Sequence, residues 1–209
     1  MAGRRPEFDK TSALDAAMLV FWKKGYVGAS LADLTGAMGI NKPSLYSAFG
    51  NKEALFVLSL HQYLEKHAKD SLAHLDAEGK SLRQRISGFL LATVRGQLGE
   101  ETPRGCYLAQ GLSETAGEGL PQAAIQALKA ADEENMRQLV HFFRSDPESQ
   151  RLGLDLQADR AALYLVTLLH GTASLSRSGR CKSELEGILE LGLRGLGLGL
   201  DEEGHLPLQ

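Results

Sequence analysis

The stretch Ser30–Phe49, SLADLTGAMGINKPSLYSAF, constrains the fold more than any other part of the chain. Ser30 is a good helix N-cap and Asp33 follows three residues on, the spacing at which side chain and backbone satisfy each other in a capping box. Leu31, Leu34 and Met38 recur at helical spacing and give a short apolar stripe. Gly39 then ends that helix, because it can take the left-handed conformation a helix C-terminus favours. Asn41 is placed to cap a second helix, with Pro43 in its first turn, where a missing N–H costs nothing. Leu45 and Phe49, four apart, can pack the second helix back onto the first. Two short helices joined by a tight glycine-containing turn are the outline of a helix-turn-helix.

The remainder also reads as helix, with no alternating strand pattern of any length. Asp9 to Lys24 puts Leu14, Ala17, Met18, Phe21 and Trp22 on one face, and Gly25 is expected to stop it. Those residues are expected to form the core of a three-helix head. Asn51 is expected to cap a long helix reaching about Leu75, a natural lever between head and body, and Asp76–Lys80 is the first clear linker. Further helices are expected over about 81–98, 106–116, 121–143, 156–176 and 182–198, with 145–153 as a polar turn region. The fold class is therefore all-α, about nine helices. Its domains are a head at 1–50, a larger helical body at 51–200 and a frayed tail at 201–209.

From Phe21 to Phe56 the string FWKKGYVGASLADLTGAMGINKPSLYSAFGNKEALF resembles the DNA-binding domain of the TetR family of transcriptional regulators. The matching pieces are Gly25-Tyr26, Ser30-x-x-Asp33, Met38-Gly39-Ile40, Leu45-Tyr46-x-x-Phe49 and Asn51-Lys52-Glu53-Ala54-Leu55. Pro43 stands where the family tolerates several small residues. The resemblance implies a homodimeric repressor, released from its operator by a small molecule bound in the helical body. It also implies that Tyr46 offers its hydroxyl to a phosphate.

Charge agrees with a polyanion at one end. Residues 1–52 carry seven basic and four acidic side chains, net +3, and the rest carries 16 basic and 22 acidic, net −6. In a helix-turn-helix the N-terminal residues of the second helix meet base edges in the major groove. Here these are Asn41, Lys42, Pro43, Ser44 and Ser47, with Lys42 able to donate to guanine O6 and N7. Lys52 opens the next helix, where backbone N–H groups already favour phosphate, and Ser30 is expected to bind backbone phosphate in the same way. Arg4 and Arg5 lie in an arm able to reach an adjacent groove, while Lys23 and Lys24 serve as solvated charge. The partner is therefore double-stranded DNA with a palindromic operator, one half-site for each head of a dimer.

The closing helices point to self-association. Ala161, Ala162, Leu165, Val166, Leu169, Thr172 and Ala173 crowd one of them, and the last carries glycines at 187, 192, 195, 197 and 199 among leucines. Each interior glycine weakens a helix by roughly 1 kcal/mol against alanine, so close backbone packing is the expected compensation. Candidate effector-pocket residues are Phe89, Tyr107, Gln110, Phe142 and His170. Cys106, in PRGCYLAQ after a Gly/Pro break and near Arg104, is a candidate redox or electrophile sensor, with a buried inert thiol as the alternative. The Gly-Cys pair resembles one in a branch of the family with members that respond to electrophiles, oxidants or copper. Cys181 has basic neighbours Arg180 and Lys182 and reads as an exposed turn residue.

Two cysteines make no disulfide framework, the N-terminus lacks a secretory h-region, and the longest uncharged run, Ala161–Ser176, is 16 residues and polar in part. A cytoplasmic chain with no membrane contact is expected. No metalloprotease, hydrolase, phosphate-loop or Cys-x-x-Cys motif is present, and GLGLGL near the end lacks a preceding strand. His67 and His74 are seven apart, without sulfur or carboxylate partners at metal spacing. No enzyme activity, cofactor or metal is expected. The alternative classes are a helical interaction module without DNA binding and a catalytic helical protein, for which no constellation of residues exists.

Overall fold

A computed structural model of the chain describes residues 8–99 and 101–199, and among these no strand occurs. Arg4, Arg5 and the 201–209 tail lie outside the described residues. The head comprises α1 (Lys10–Gly28), α2 (Leu31–Met38) and α3 (Lys42–Phe49). The capping box forms as the sequence requires: Ser30 Oγ accepts from the Asp33 amide at 3.0 Å, and Asp33 Oδ2 accepts from the Ser30 amide at 3.0 Å. Gly39 closes α2 at φ 65°, ψ 25°, and Asn41 caps α3 by accepting from the Ser44 amide at 2.9 Å.

Gly25 ends the regular first stretch of α1, as expected. That residue breaks α1 at φ 72°, ψ 177°, a conformation open essentially only to glycine, and one more turn follows to Gly28. The lever is likewise not one uniform helix. α4 (Lys52–Tyr63), capped by Asn51 through the Ala54 amide at 2.7 Å, runs into a π turn at Leu64–Ala68. A one-turn helix, α5 (Lys69–Leu72), and a 3-10 turn at Ala73–Asp76 complete the rod.

The body adds α6 (Leu82–Leu98), α7 (Tyr107–Glu114), α8 (Gln122–Ser145), α9 (Pro147–Arg151), α10 (Ala158–Arg177) and α11 (Lys182–Gly195). Nine helices of eight residues or more thus occur among the described residues. α9 falls in the segment read as turn. Its start signal is local: Asp146 accepts from the Glu148 and Ser149 amides, and Pro147 occupies the first turn. Asp146 also takes Arg85 of α6 at 2.5 Å, a pair mostly removed from water.

Two apolar clusters hold these helices. One joins α6, α8, α10 and α11 around Ile86, Leu90, Phe143, Leu165 and Leu189. The other centres on Phe21, Trp22, Leu34, Leu45 and Phe56, and extends into the body through Tyr107 of α7 and Leu128 of α8. Each fully buried leucine or phenylalanine contributes about 1.5–3 kcal/mol relative to exposure, so head and body share a substantial core. Edge-on aromatic contacts run through it, from Phe21 to Phe56 at 5.2 Å, to Tyr107 at 5.5 Å and to Tyr63 at 5.5 Å.

The apolar stripe assigned to self-association faces inward instead. Ala161, Ala162, Leu165, Val166, Leu169, Thr172 and Ala173 are all buried within the protomer. The opposite face of α10 exposes Leu163, Thr167, Gly171 and Ser174, and Gly187 and Leu191 of α11 are exposed as well. Glycine serves close packing at two positions of α11: a Cβ at Gly192 would meet Leu168 at 2.5 Å, and one at Gly195 would meet Tyr164 at 2.6 Å.

Candidate nucleic-acid interface and body cavity

α3 turns Leu45 and Phe49 inward and leaves Asn41, Lys42, Pro43, Tyr46 and Ser47 exposed, with Ser44 half-buried. This follows from a helix of only eight residues packed through one edge, so that its N-terminus and far face stay in water. Among the described residues Lys42 makes no ion pair, and the Tyr46 ring is 48% exposed. The flanking charges are less available. Lys24 pairs with Asp33 at 2.5 Å, and this bond, followed by those from Ser30, holds the Asp33 carboxyl well below the usual carboxylate range. Ser30 Oγ donates to the same carboxylate at 2.7 Å, so its hydroxyl proton is engaged. Lys52 lies over the Tyr26 ring, 4.3 Å from its centroid, and partial burial pulls its pKa down.

A cavity of about 510 Å³ lies where α1, the π turn, α6, α7, α8 and α10 meet. That size falls within the range of about 300–1,000 Å³ typical of small-molecule sites. Its apolar wall comes from Trp22, Leu72, Phe89, Leu108, Val166 and Leu169. The π turn contributes Leu64, Glu65, His67 and Ala68 to the lining. A larger groove of about 730 Å³ between α1 and residues 101–104 stays open to solvent.

Of the expected pocket residues, Phe89 and His170 line the cavity, and Cys106 does too. Tyr107, Gln110 and Phe142 do not, and this corrects their placement. Tyr107 is spent on the head core, its hydroxyl donating to the Phe56 carbonyl at 3.4 Å. Gln110 faces Glu114, and Phe142 packs on Phe143 and under the Arg85 guanidinium. Arg104 donates to the Ser176 carbonyl at 3.2 Å. Cys106 caps α7, its sulfur accepting from Tyr63 Oη at 3.3 Å and from the Ala109 amide at 3.5 Å. Cys181 is exposed at the start of α11. His67 stands edge-on to Trp22 at 5.2 Å, whereas His74 packs against Gly88 of α6, so the two do not share a site.

The cavity depth favours neutral groups. Burial pushes the Tyr63 phenol well up, with Cys106 adding to the rise. Burial pulls both His67 and His170 down, Lys66 adding to the first and Asp132 opposing the second. Gln97 is tied by its amide N–H to the Leu169 carbonyl at 3.0 Å and by its oxygen to Thr172 Oγ1 at 2.8 Å. Charge enters through Glu65, Lys69 and Glu134, all exposed. Among the described residues no group of three or more histidine, cysteine or acidic side chains sits together as a metal site.

Residues 13–57 match the model of bacterial regulatory proteins of the tetR family. The chain is 30% identical over 195 residues to the HTH-type transcriptional repressor ComR of Escherichia coli K12, covering 92% of this chain and 90% of that protein. It belongs to the TetR family. Another TetR-type relative, the repressor BdcR of Escherichia coli K12, is 27% identical over 88% of this chain and 86% of its own length. Among solved structures, the TetR family regulator CifR, as a cysteine mutant complexed with 26 bp double-strand operator DNA, superposes with a TM-score of 0.82. It shares 36% identity over 91% of this chain and 98% of that chain. No helix among the described residues is long and apolar enough to cross a membrane.

Within this TetR fold, sequence reasoning missed Trp22, Tyr63 and His67 as cavity residues. Trp22 reads as core, and it is core, only 1% exposed, while its ring still closes one cavity wall. No local signal separates the two roles, because the wall is assembled from segments far apart in the chain. The π turn has no such signature either.

Proposed function

We propose that this TetR-family chain is a homodimeric, sequence-specific repressor that binds a palindromic double-stranded operator through residues 1–50 and is released by a small molecule bound in the body, 51–200. The observation that carries this reading is the outward N-terminus of α3, with Asn41, Lys42, Pro43, Tyr46 and Ser47 exposed over a buried Leu45–Phe49 edge. Lys42 reads base edges, and Ser44 and Ser47 supply hydroxyls beside it. Tyr46, Lys52 and the Ser30 end of α2 hold phosphates. Dimerisation uses the exposed Leu163 and Leu191 face of α10 and α11, an isologous patch that returns two heads in symmetric orientation. Effector binding favours a body geometry in which the two heads no longer match half-sites about 34–36 Å apart, so the operator is released by linkage. The protein acts in the cytoplasm and performs no catalysis.

The experiment is a mobility shift on the chain's own upstream DNA and on a random duplex library, across a salt series. Specific, salt-sensitive binding is expected. Lys42→Ala should reduce the slope of log affinity against log salt by about one if it neutralises a phosphate, or relax base preference if it reads guanine. Unchanged operator affinity in both Lys42→Ala and Tyr46→Phe would refute the assignment. Weak binding with no sequence preference would favour a helical interaction module.

A second reading rests on Cys106, whose thiol lines the cavity and is held by Tyr63. In it, an electrophile or oxidant entering the cavity modifies that sulfur and releases DNA. A Cys106→Ser chain that still releases DNA on oxidant treatment removes this reading.

A further inference from the structure

The break at Gly25 leaves carbonyls before it and amides after it without helical partners. The body supplies both sets. Arg177, the last residue of α10, donates from Nη1 to the Trp22 carbonyl at 3.1 Å and from Nη2 to the Lys23 carbonyl at 3.4 Å. Glu114, the last residue of α7, accepts through Oε2 from the Tyr26 amide at 3.0 Å and the Val27 amide at 3.3 Å. Gln110, one turn earlier, donates to the other carboxylate oxygen at 3.3 Å and holds it in place. Both side chains seat where the backbone carries no Cβ. One at Gly25 would fall 1.6 Å from Glu114 Oε1, and one at Gly105 would fall 2.6 Å from Arg177 Cγ.

Both clamp residues sit on helices that also wall the cavity. α7 contributes Leu108 and its cap Cys106, and α10 contributes Val166, Leu169 and His170, two turns before Arg177. The Trp22 residue whose carbonyl Arg177 holds closes the cavity with its ring.

We propose that Glu114 and Arg177 are positioning residues for DNA binding, clamping the two sides of the Gly25 break and fixing the angle of the head on the body. Because each ends a cavity-wall helix, a shift of α7 or α10 reaches the head through this clamp. The inference rests on the DNA-binding reading above. Two heads on a dimer must meet half-sites at a fixed separation, so a loosened angle appears as lost discrimination between spacings, with affinity for one half-site retained.

The test begins with the full-length wild-type chain selecting a site from a random duplex library. Binding is then measured to that palindrome, to versions with one or two base pairs inserted or removed at its centre, and to a single half-site. Glu114→Ala and Arg177→Ala should keep wild-type half-site affinity and lose about tenfold of the preference for the selected spacing, the scale of one hydrogen bond to a charged group. Arg177→Lys should restore part of it. If the alanine variants do not fold, Glu114→Gln and Arg177→Lys carry the test, with an expected loss of about threefold. Spacing preference equal to wild type, or half-site affinity falling in step with it, would overturn the clamp alone. A wild-type chain that selects no site would overturn the DNA-binding reading and the clamp with it.

Discussion

Replacing Gly25 with alanine tests the head–body junction by stability. The residue sits at φ 72°, ψ 177°, a region that costs an L-residue about 1–3 kcal/mol. The added methyl would also lie 1.6 Å from Glu114 Oε1, so the carboxylate must leave. Its bond from the Tyr26 amide is 3.0 Å and half-buried, and a hydrogen bond to a charged group contributes about 1.5–3 kcal/mol. The longer bond from Val27, at 3.3 Å and exposed, adds little. The two effects give a loss of about 2.5–6 kcal/mol, a large part of the roughly 5–15 kcal/mol that holds an ordinary domain folded. Urea unfolding followed by far-UV circular dichroism at one fixed protein concentration reads it as a lower midpoint with an unchanged slope. Glu114→Ala alone, with Gly25 intact, should lose only the second share. A Gly25→Ala chain within about 1 kcal/mol of wild type would refute both the strain and the clash.

Three further outcomes follow from the same packing. Leu163→Glu combined with Leu191→Glu should leave helicity intact and convert the dimer to a monomer by light scattering, since both side chains are more than half exposed in the protomer. Arg85→Met should destabilise the body by about 3–5 kcal/mol in urea titration, because it leaves the Asp146 carboxylate buried without its cation. Stability should fall as pH drops below about 6.5, the ordinary histidine value, because burial lowers the folded pKa of His67 and His170. Below it the unfolded chain binds protons that the folded chain refuses, so stability present above that pH is lost down to the folded values. His170→Gln should flatten the acid limb of a melting-temperature profile.

The head was largely legible because its instructions are local. Ser30 with Asp33, Gly39 and Asn41 with Pro43 each act within three or four residues of themselves, and the structure forms each cap as written. The Asp146-Pro147 start of α9 is written the same way, within a stretch whose polar composition otherwise signals turn. Apolar periodicity likewise marks which residues of α10 are buried, since burial needs only one face. It cannot say what covers that face. The Ala161–Ala173 stripe meets its own protomer, and the side of α10 left exposed is the plainer one of Leu163, Thr167, Gly171 and Ser174.

What the sequence determined by itself was the all-helical class, the helix-turn-helix and the exposed N-terminal edge of α3, because caps, glycine turns and helical spacing are short-range physics. Tertiary structure decided the cavity and the contacts between body and head. The π turn, the Trp22 wall, the Cys106–Tyr63 contact and the Glu114–Arg177 clamp each join residues dozens of positions apart or depend on how neighbouring helices press on one another. No window of sequence contains both partners, so only the packed chain brings them together.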